Sequence, residues 1–433
     1  MLESKTYSHN EAAALDSSLS LNAAHSQTLW RNRSFLFVFT SYSLSLLGNT
    51  FHSIALNLWV LQTSGSAKLM SAVLITHLVV SMLFSSVAGT IADRINRRLL
   101  MWSSDFIRFV LVAIIALLIY LENTSYTAIL ALTALVAFVG SFRAPAFQAA
   151  LIEIVGKQQI AKAVAAINIS DNLVRILGFA AGGAAVAFLG GAIAIAIDAA
   201  AFLISAILVI LAGAFRYEAV KAAERSKTSF KEDLIEGFRF ALQHKLAKAS
   251  LIILPVVMLF FLSTFMLIQV MAVQVWRAGA VVFGLIEMCI PLGYVIGSLL
   301  IMGFDKRIVH KGRIIALSII LMGGSFVLIS FIEQAFAALP FILLVGFLFS
   351  FSTTIIFIEL RSQIAPELQG RISGLLSSAT SVAPPLGLAI FSALSDLYGP
   401  AVIIAASGGM LLLTGLLLSR TISSSYSSAD TSA

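Results

Sequence analysis

Ionisable side chains interrupt several long apolar runs of this 433-residue chain. A charged side chain at the centre of a bilayer costs about 2.5 to 3.5 kcal/mol on insertion scales, so such residues are candidates for function. Two acid–base pairs have helical spacing, because Asp105 precedes Arg108 by three positions and Asp171 precedes Arg175 by four. Each pair can exchange a coupling ion or can simply neutralise its own charge for insertion and packing. The other acids of this kind are Asp198, Glu287 and Glu359.

The composition identifies an integral membrane protein. Hydrophobic residues make up 59% and charged residues 11% of the chain, whereas soluble domains carry about 25% charged residues. The net charge of +7 lies in short clusters between apolar blocks, which topology and anionic lipid explain better than nucleic acid. The lone Cys289 excludes an intrachain disulfide and a cysteine-rich metal site.

Phosphate-loop, zinc-protease and nucleophile-elbow motifs are absent from the sequence. We therefore expect no enzyme, cofactor or metal. The energy for transport is then expected to come from an ion gradient or from the gradient of the substrate.

Twelve apolar runs are long enough to span a bilayer, which requires about 20 residues. They cover 35–60, 70–91, 99–121, 127–149, 164–189, 192–214, 251–273, 280–303, 314–332, 336–360, 372–396 and 400–419. We therefore predict an all-α protein with a polar tail over 1–34, a six-helix bundle over 35–214, a linker over 215–250, a second six-helix bundle over 251–420 and a polar tail over 421–433.

Lysine and arginine fix the predicted orientation. If the N-terminus is cytoplasmic, the 28 basic residues fall on the cytoplasmic side with the exceptions of Lys68, Arg277, Arg108 and Arg175, so both termini are predicted inside. Apolar residues of the linker recur at helical spacing, which predicts an amphipathic helix on the inner leaflet. These residues are Phe230, Leu234, Ile235, Phe238 and Leu242.

The two halves repeat each other at matching positions. Asp93-Arg94 follows span 2 as Asp305-Lys306 follows span 8, and Gly178 of span 5 corresponds to Gly387 of span 11. Such a repeat predicts two bundles related by internal duplication, which is an architecture of secondary transporters.

The loop after span 2 resembles the G-x-x-x-D-R-x-x-R-R signature of the major facilitator superfamily. The resemblance implies a conformational latch, with Asn96 standing where the family usually has Gly. Its residues are Gly89, Asp93, Arg94, Arg97 and Arg98. A plain basic anchor for topology is the alternative.

Further segments are similar to the drug-antiporter branch that contains macrolide efflux proteins and the enterobactin exporter. They are TSGSA at 63–67, SDFIR at 104–108, FRAPAFQAAL at 142–151, NLVRILG at 172–178 and DAAAFLISAIL at 198–208. The branch's G-P-x-x-G-G signature appears here with Phe179 in place of proline, and its glycines predict close helix packing.

The resemblance also implies that spans 1, 4, 7 and 10 line a central cavity. Asp198 on span 6 is then expected to be structural, whereas Glu359 on span 10 is the better cavity acid. His52 has the pKa range for proton coupling, although a lone helical histidine is more often a packed hydrogen-bonding group. The predicted cavity residues are Tyr42, Asn49, His52, Phe265, Gln269 and Phe351.

Arg175 and Glu287 are predicted to face each other across the two halves, because the resemblance makes spans 5 and 8 neighbours. The residue counts place Arg175 about 13 Å and Glu287 about 10 Å below the outer surface. If alternating access separates the pair, the carboxylate can exchange its guanidinium partner for a proton. The alternative is that Arg175 pairs permanently with Asp171.

These observations predict a secondary transporter of the bacterial inner membrane that works by alternating access as a monomer. The expected activity is proton-coupled export of an amphipathic small molecule such as a drug, macrolide or siderophore. An importer or facilitator of a metabolite or siderophore, and a lysolipid flippase, remain open, as does a membrane receptor or scaffold that does not transport.

Overall fold

The computed structural model describes residues 29–92, 95–122, 125–213, 239, 243–304, 310–364 and 366–427. Twelve of its helices are long and apolar enough to cross a membrane. We number these helices α1 to α12 in chain order, so that each corresponds to one predicted span. The prediction of twelve membrane-spanning helices is confirmed.

The bounds of the helices extend most of the predicted runs at one or both ends. In the first half they are α1 (Arg33–Ser64), α2 (Ala67–Ala92), α3 (Arg97–Tyr120), α4 (Tyr126–Gly156), α5 (Gln158–Leu189) and α6 (Gly191–Leu211). In the second half they are α7 (Lys245–Gln274), α8 (Ala280–Phe304), α9 (Lys311–Ser330), α10 (Ala335–Gln363), α11 (Pro366–Tyr398) and α12 (Pro400–Ser427).

Gly156 separates α4 from α5 without an intervening loop. Its φ of 72° and ψ of 166° interrupt the otherwise helical segment Tyr126–Leu189, and glycine reaches a positive φ without the steric cost that a Cβ imposes. The chain therefore reverses direction across the bilayer at a single residue.

Two ends of the helix bundle are distinguished by the chain ends. We call the end that carries Arg33, the first residue of α1, and Ser427, the last residue of α12, the proximal end. The opposite, distal end carries the short connections α1–α2, α3–α4, α5–α6, α7–α8, α9–α10 and α11–α12. The latter connections run through few residues, as at Gly190 between α5 and α6 and Gly399 between α11 and α12.

Helices pack closely within each half, one cluster of buried apolar residues runs through both halves, and the halves meet mainly along two helix pairs. In the first half α1 and α3 pack on α6, and in the second half α7 packs on α11 and α12 while α9 packs on α12 and α8 on α10. The halves join where α2 contacts α11 and α5 contacts α8.

Equivalent glycines support the predicted duplication. A Cβ placed on Gly178 of α5 would lie 3.1 Å from Leu47 Cδ1 of α1, and a Cβ placed on Gly387 of α11 would lie 2.8 Å from Leu259 Cγ of α7. Both are tighter than most real Cβ contacts, so each glycine lets the corresponding helix pair approach closely.

Asn96 has a different role from the one suggested by the family glycine. Its φ of −55° is not left-handed, and its side chain caps α3 by accepting hydrogen bonds from Arg98 N at 3.0 Å and Leu99 N at 3.3 Å. Asparagine is among the favoured N-cap residues because its side-chain oxygen satisfies free helix N–H groups.

The end of the second bundle differs from the prediction. Helix α12 continues to Ser427, into the segment predicted as a polar tail from residue 421. Tyr426 is buried there, and its hydroxyl lies 2.8 Å from Ser250 Oγ of α7. The helix thus continues past the apolar run to a turn in which Tyr426 is buried and hydrogen-bonded to Ser250. The five apolar residues of the predicted amphipathic helix lie outside the described residues, as do 305–309; these five are Phe230, Leu234, Ile235, Phe238 and Leu242.

Candidate functional site

A cavity of about 610 Å³ lies between the two halves and is lined by both. Four of the predicted cavity residues line it, namely Asn49 and His52 of α1 and Phe265 and Gln269 of α7. The cavity is large enough for a small organic molecule, since ligand pockets commonly measure about 300–1,000 Å³.

Tyr42 and Phe351 lie outside the described lining of this cavity. Tyr42 stacks on Phe147 of α4 at 4.4 Å between ring centroids and donates a hydrogen bond to Asp171 Oδ2 at 3.1 Å. On α10 the cavity is lined by Phe349 instead of Phe351, because two residues differ by about 200° around a helix. The rotation of a helix about its axis decides whether Tyr42 and Phe351 face the cavity, and the assignment of a span does not provide that rotation.

The two walls of the cavity differ in chemistry. The C-terminal half supplies aromatic faces, with Phe261 and Phe349 stacked at 3.9 Å and 7° and with Phe265 and Tyr294 beside them. The N-terminal half supplies most of the polar groups and both arginines, among them Asn49, His52, His77, Arg108, Asn172 and Arg175, whereas Gln269 and Glu287 come from the C-terminal half. A molecule with one apolar and one polar face matches this division.

Hydrogen bonds between the halves close the cavity toward the distal end. Asp396 of α11 accepts hydrogen bonds from Ser66 Oγ at 2.8 Å and from the backbone N–H groups of Ala67 at 2.9 Å and Lys68 at 3.3 Å. Ser71 of α2 donates to Ser392 Oγ of α11 at 2.8 Å.

The α1–α7 side of the distal end is closed in the same way. Gln274 Nε2 donates to the Gly65 carbonyl oxygen at 2.7 Å, and Asn57 Nδ2 donates to Gln269 Oε1 at 3.4 Å. On the α5–α8 side, a Cβ on Gly183 would lie 2.9 Å from Gly284 Cα. The glycines of the antiporter-like signature thus pack closely, as predicted.

A buried ion pair anchors the first half below the cavity. Asp105 of α3 binds Arg143 of α4, with Arg143 Nε at 2.7 Å from Oδ1 and 2.9 Å from Oδ2. Ser205 of α6 donates to the same carboxylate at 2.7 Å, and Arg143 Nη2 donates to Ser41 Oγ of α1 at 3.1 Å. Four helices therefore meet at this buried ion pair.

Arg143 corrects the charge count of the sequence analysis. That count places Arg143 on the cytoplasmic side, whereas the residue is 5% exposed within α4. Its position inside an apolar run was a signal that could have found it. Asp105 consequently has Arg143 as its main partner, and Arg108 Nη1 remains 3.9 Å from Asp105 Oδ1.

Arg108 faces the cavity from α3. Its Nη2 donates to Asn49 Oδ1 at 2.9 Å, and its guanidinium carbon lies 3.8 Å from the centroid of the Phe202 ring. A guanidinium over an aromatic face gains a cation–π attraction, so Arg108 is held by a neutral amide and a ring as well as by a distant carboxylate.

His52 and Asp198 lie together, although the sequence analysis treats them separately. His52 Nδ1 of α1 is 3.3 Å from Asp198 Oδ2 of α6. Asp198 is 1% exposed, and its Oδ1 has no hydrogen-bonding partner in the described part of the chain. His52 lines the cavity, so the pair connects a buried acid to the cavity surface.

Arg175 and Glu287 line the same cavity from opposite halves. Within the described residues, neither forms an ion pair within 4.0 Å, and Arg175 does not pair with Asp171 at that distance. Glu287 is 6% exposed, and its Oε1 has no hydrogen-bonding partner among the described residues. The structure therefore brings the two residues to one cavity with the predicted pair unformed.

Glu359 does not line the cavity among the described residues. Lys311 Nζ of α9 lies 2.7 Å from its Oε1, and Gln363 Nε2 donates to its Oε2 at 2.6 Å. This differs from the expectation of a cavity acid, because the carboxylate of Glu359 points toward α9 at the proximal end.

The basic loop after α2 is described in part. Arg97 forms an ion pair with Glu153 of α4, and Arg98 donates to the carbonyl oxygens of Val209 and Ile210 at the end of α6. A cation at a helix C-terminus is favoured by the helix dipole. Gly89 of α2 has open space around it, and Asp93 and Arg94 lie outside the described residues.

Sequence reasoning missed several polar residues of the cavity lining. His77 of α2, Asn172 of α5 and Tyr294 of α8 line the cavity although their helices are outside the set predicted to do so. A polar side chain within an apolar run was the signal available for each.

The sequence and fold match known transporters. The profile of the Major Facilitator Superfamily matches residues 38–387. The chain is 25% identical over 380 residues to the multidrug efflux pump Tap of Mycolicibacterium fortuitum, which covers 84% of this chain and 90% of the relative. It is 27% identical over 342 residues to the enterobactin exporter EntS of Escherichia coli O139:H28, which covers 77% of this chain and 78% of the relative.

Solved structures show the same fold. The nucleoside transporter NupG aligns with a TM-score of 0.67 at 14% identity over 90% of this chain and 98% of its own. A bacterial homolog of the human lysosomal transporter Spinster, in an inward-facing and unoccupied conformation, aligns with a TM-score of 0.68 at 12% identity over 93% of this chain and 97% of its own.

Proposed function

Because the chain belongs to the Major Facilitator Superfamily, whose matched relatives are transporters, we propose that it exports an amphipathic small molecule in exchange for protons. The observation that carries this proposal is the cavity between the halves, which is lined by both halves and closed by contacts between them at the distal end. A site at the interface of two repeats can open to either side of a membrane when the halves rock.

The distribution of basic residues supports cytoplasmic termini in a bacterial inner membrane. The proximal end is then cytoplasmic, and the distal contacts of Asp396 close the outer side. In this orientation the described conformation receives its substrate from the inside. One chain supplies both walls of the cavity, which supports a monomeric transport unit.

The walls of the cavity support an amphipathic substrate. Stacked Phe261 and Phe349 offer an apolar surface, and Arg175 and Asn172 offer polar contacts opposite them. The relatives are named for multidrug efflux and for enterobactin export, so a drug or a siderophore is the substrate class that we infer for this chain.

Arg175 and Glu287 support coupling to protons. With the outer side closed, the carboxylate of Glu287 has no cation within 4.0 Å in the described part of the chain. An isolated buried carboxylate is costly as an anion, so a proton is the partner available to it. Movement of α5 against α8 brings Arg175 to Glu287 in the other conformation and releases that proton.

Inside-out membrane vesicles test the proposal directly. An acidic lumen imposes the gradient, and accumulation of enterobactin, a macrolide and a lipophilic dye is measured with and without a protonophore. We expect accumulation of at least one compound that the protonophore abolishes. Accumulation equal to that of vesicles without the protein for every compound would refute export.

Two matched phenylalanine variants separate cavity effects from general damage. Phe265 lines the cavity, whereas Phe188 is 84% exposed at the end of α5. We expect Phe265→Ala to raise KM at least fivefold, which corresponds to about 1 kcal/mol of binding, and Phe188→Ala to leave KM unchanged. Equal effects of the two substitutions would count against this cavity as the substrate site.

A further inference from the structure

His52 and Asp198 form an acid–base pair within the N-terminal half that the coupling through Glu287 does not use. His52 Nδ1 lies 3.3 Å from Asp198 Oδ2, the side chain of His52 is 16% exposed and that of Asp198 is 1% exposed. The histidine thus reaches the cavity while its partner is sealed between α1 and α6.

The charged groups nearest to the pair are bound by other partners. Arg108 of α3 is bound by Asn49, and the carboxylate of Asp105 is bound by Arg143 of α4. From α2, His77 lines the same cavity, and from the other half Glu287 and Arg175 line it. With neutral histidines, the two arginines Arg108 and Arg143 balance Asp105 and Asp198, so a proton on His52 adds one positive charge to this wall.

We propose that His52 and Asp198 form a second proton-binding site of the transporter, separate from Glu287 and located in the opposite half. The proposal rests on the proposed proton coupling and extends it to the N-terminal half. Protonation of His52 converts a neutral imidazole beside a carboxylate into an ion pair. The proton reaches the imidazole through the cavity and is lost by the same route.

Proton binding at this site acts on the packing of α1 against α6. Gly48 packs directly on Asp198 one turn before His52, and a Cβ on Gly48 would lie 2.9 Å from Ala201 Cβ. Further along α1, Asn57 donates to Gln269 of the other half. The ion pair therefore holds α1 against α6 of its own half. Its position on α1 lies between Gly48, which packs on Asp198, and Asn57, whose hydrogen bond to Gln269 must break when the halves separate.

The described geometry favours a proton over a metal ion or a purely structural role. No group of three or more metal-ligating side chains occurs among the residues that the structure describes. Asp198 Oδ1 and His52 Nδ1 both lack a hydrogen-bonding partner among the described residues, so the 3.3 Å approach of the ring to the carboxylate joins two groups whose hydrogen-bonding capacity is unused. One titratable ring at the cavity surface with one buried carboxylate behind it is an arrangement that binds a single proton.

The test follows the conformation of the protein with protons as the sole ligand. Spin labels at the distal ends of the two halves report their separation in lipid nanodiscs between pH 5 and pH 9. We compare wild type, His52→Gln, Glu287→Gln and His310→Gln. His310→Gln is the matched control, because His310 is an exposed histidine at the N-terminal end of α9, outside the described cavity lining.

We expect the wild-type separation to change in two pH-dependent components. His52→Gln removes one component, Glu287→Gln removes the other, and His310→Gln leaves both. A pH profile of His52→Gln that matches wild type overturns the second site. If that profile is unchanged while the wild type still couples flux to a pH gradient, the inference fails and the proposed function stands.

A measurement that keeps His52 in place covers the case in which His52→Gln does not fold. Diethyl pyrocarbonate modifies neutral imidazole, and mass spectrometry follows its rate of modification at His52 and at the exposed His310 separately as pH changes. We expect the rate at His52 to change between pH 5 and pH 9, with a pH dependence that Asp198→Asn displaces without moving that of His310. Absence of a His52 titration in this range contradicts the proposal, even when flux through the protein responds to a pH gradient.

Discussion

Asp396 caps the first turn of α2 from the opposite half of the molecule, with its Oδ1 accepting a hydrogen bond from the Ala67 backbone N–H at 2.9 Å. Ser66 and Lys68 donate to its other oxygen. A carboxylate at a helix N-terminus satisfies free N–H groups and favours the helix dipole. Because α2 and α11 belong to different halves, opening of the distal end must break this cap.

Asp396→Ala is expected to shift the conformational equilibrium toward the distally open state. Loss of an N-cap side chain costs about 0.5–2 kcal/mol, which corresponds to a change of about 2- to 30-fold in the ratio of the two states. Spin-label distances across the distal end measure that ratio. Asp396→Asn is the control, because asparagine caps helices nearly as well as aspartate. Identical ratios for alanine and wild type would show that the cap carries none of the closure.

Gly183→Ala is expected to exclude the described conformation. A Cβ at this position would lie 2.9 Å from Gly284 Cα and close to the Ala280 carbonyl oxygen, and backbone atoms cannot rotate away. We predict at least a tenfold loss of transport at equal membrane abundance. Gly409→Ala is the matched control, since no contact within 4 Å of a Cβ added to Gly409 of α12 is found in the part of the chain that the structure describes. Full transport by Gly183→Ala would show that α5 and α8 need not approach this closely.

Asp105→Ala is expected to destabilise the first half strongly. Removal of one partner of a buried ion pair costs about 3–5 kcal/mol, because the guanidinium of Arg143 is left without its charge partner. Thermal unfolding in detergent measures the loss. The double variant Asp105→Ala, Arg143→Met should recover most of the stability and retain pH-driven transport. Loss of coupling in a stable double variant would instead identify Asp105 as an ion-coupling residue.

Glu287→Gln is expected to reduce the dependence of transport on the pH gradient strongly while sparing substrate binding, because only the site at His52 and Asp198 remains to bind a proton. Glutamine has nearly the same volume as glutamate but cannot exchange a proton. Counterflow and gradient-driven flux in proteoliposomes separate the two properties, and Arg175→Ala should shift the pH optimum. Glu359→Gln is the control, because Glu359 is bound by Lys311 outside the described cavity lining. A Glu287→Gln variant with unchanged pH dependence would exclude this carboxylate as the coupling group.

The sequence by itself determined the membrane class, the twelve spans and the duplication. Each rests on quantities that are local along the chain: the length of an apolar run, the excess of basic residues in one set of loops, and the recurrence of a motif. A bilayer forces every span into a helix because backbone groups have no water to bond with. Candidate residues such as Asn49, His52 and Glu287 were also found locally, as polar groups within apolar runs.

The tertiary structure alone decided which of these residues are partners. Asp105 is three positions from Arg108 but binds Arg143, and His52 lies beside Asp198 of a distant helix. Phe349 lines the cavity where Phe351 was predicted. A helix spaces its side chains by about 100° per residue, and its rotation about its own axis is set by packing against its neighbours. Partner choice therefore depends on contacts between helices, which no single apolar run contains.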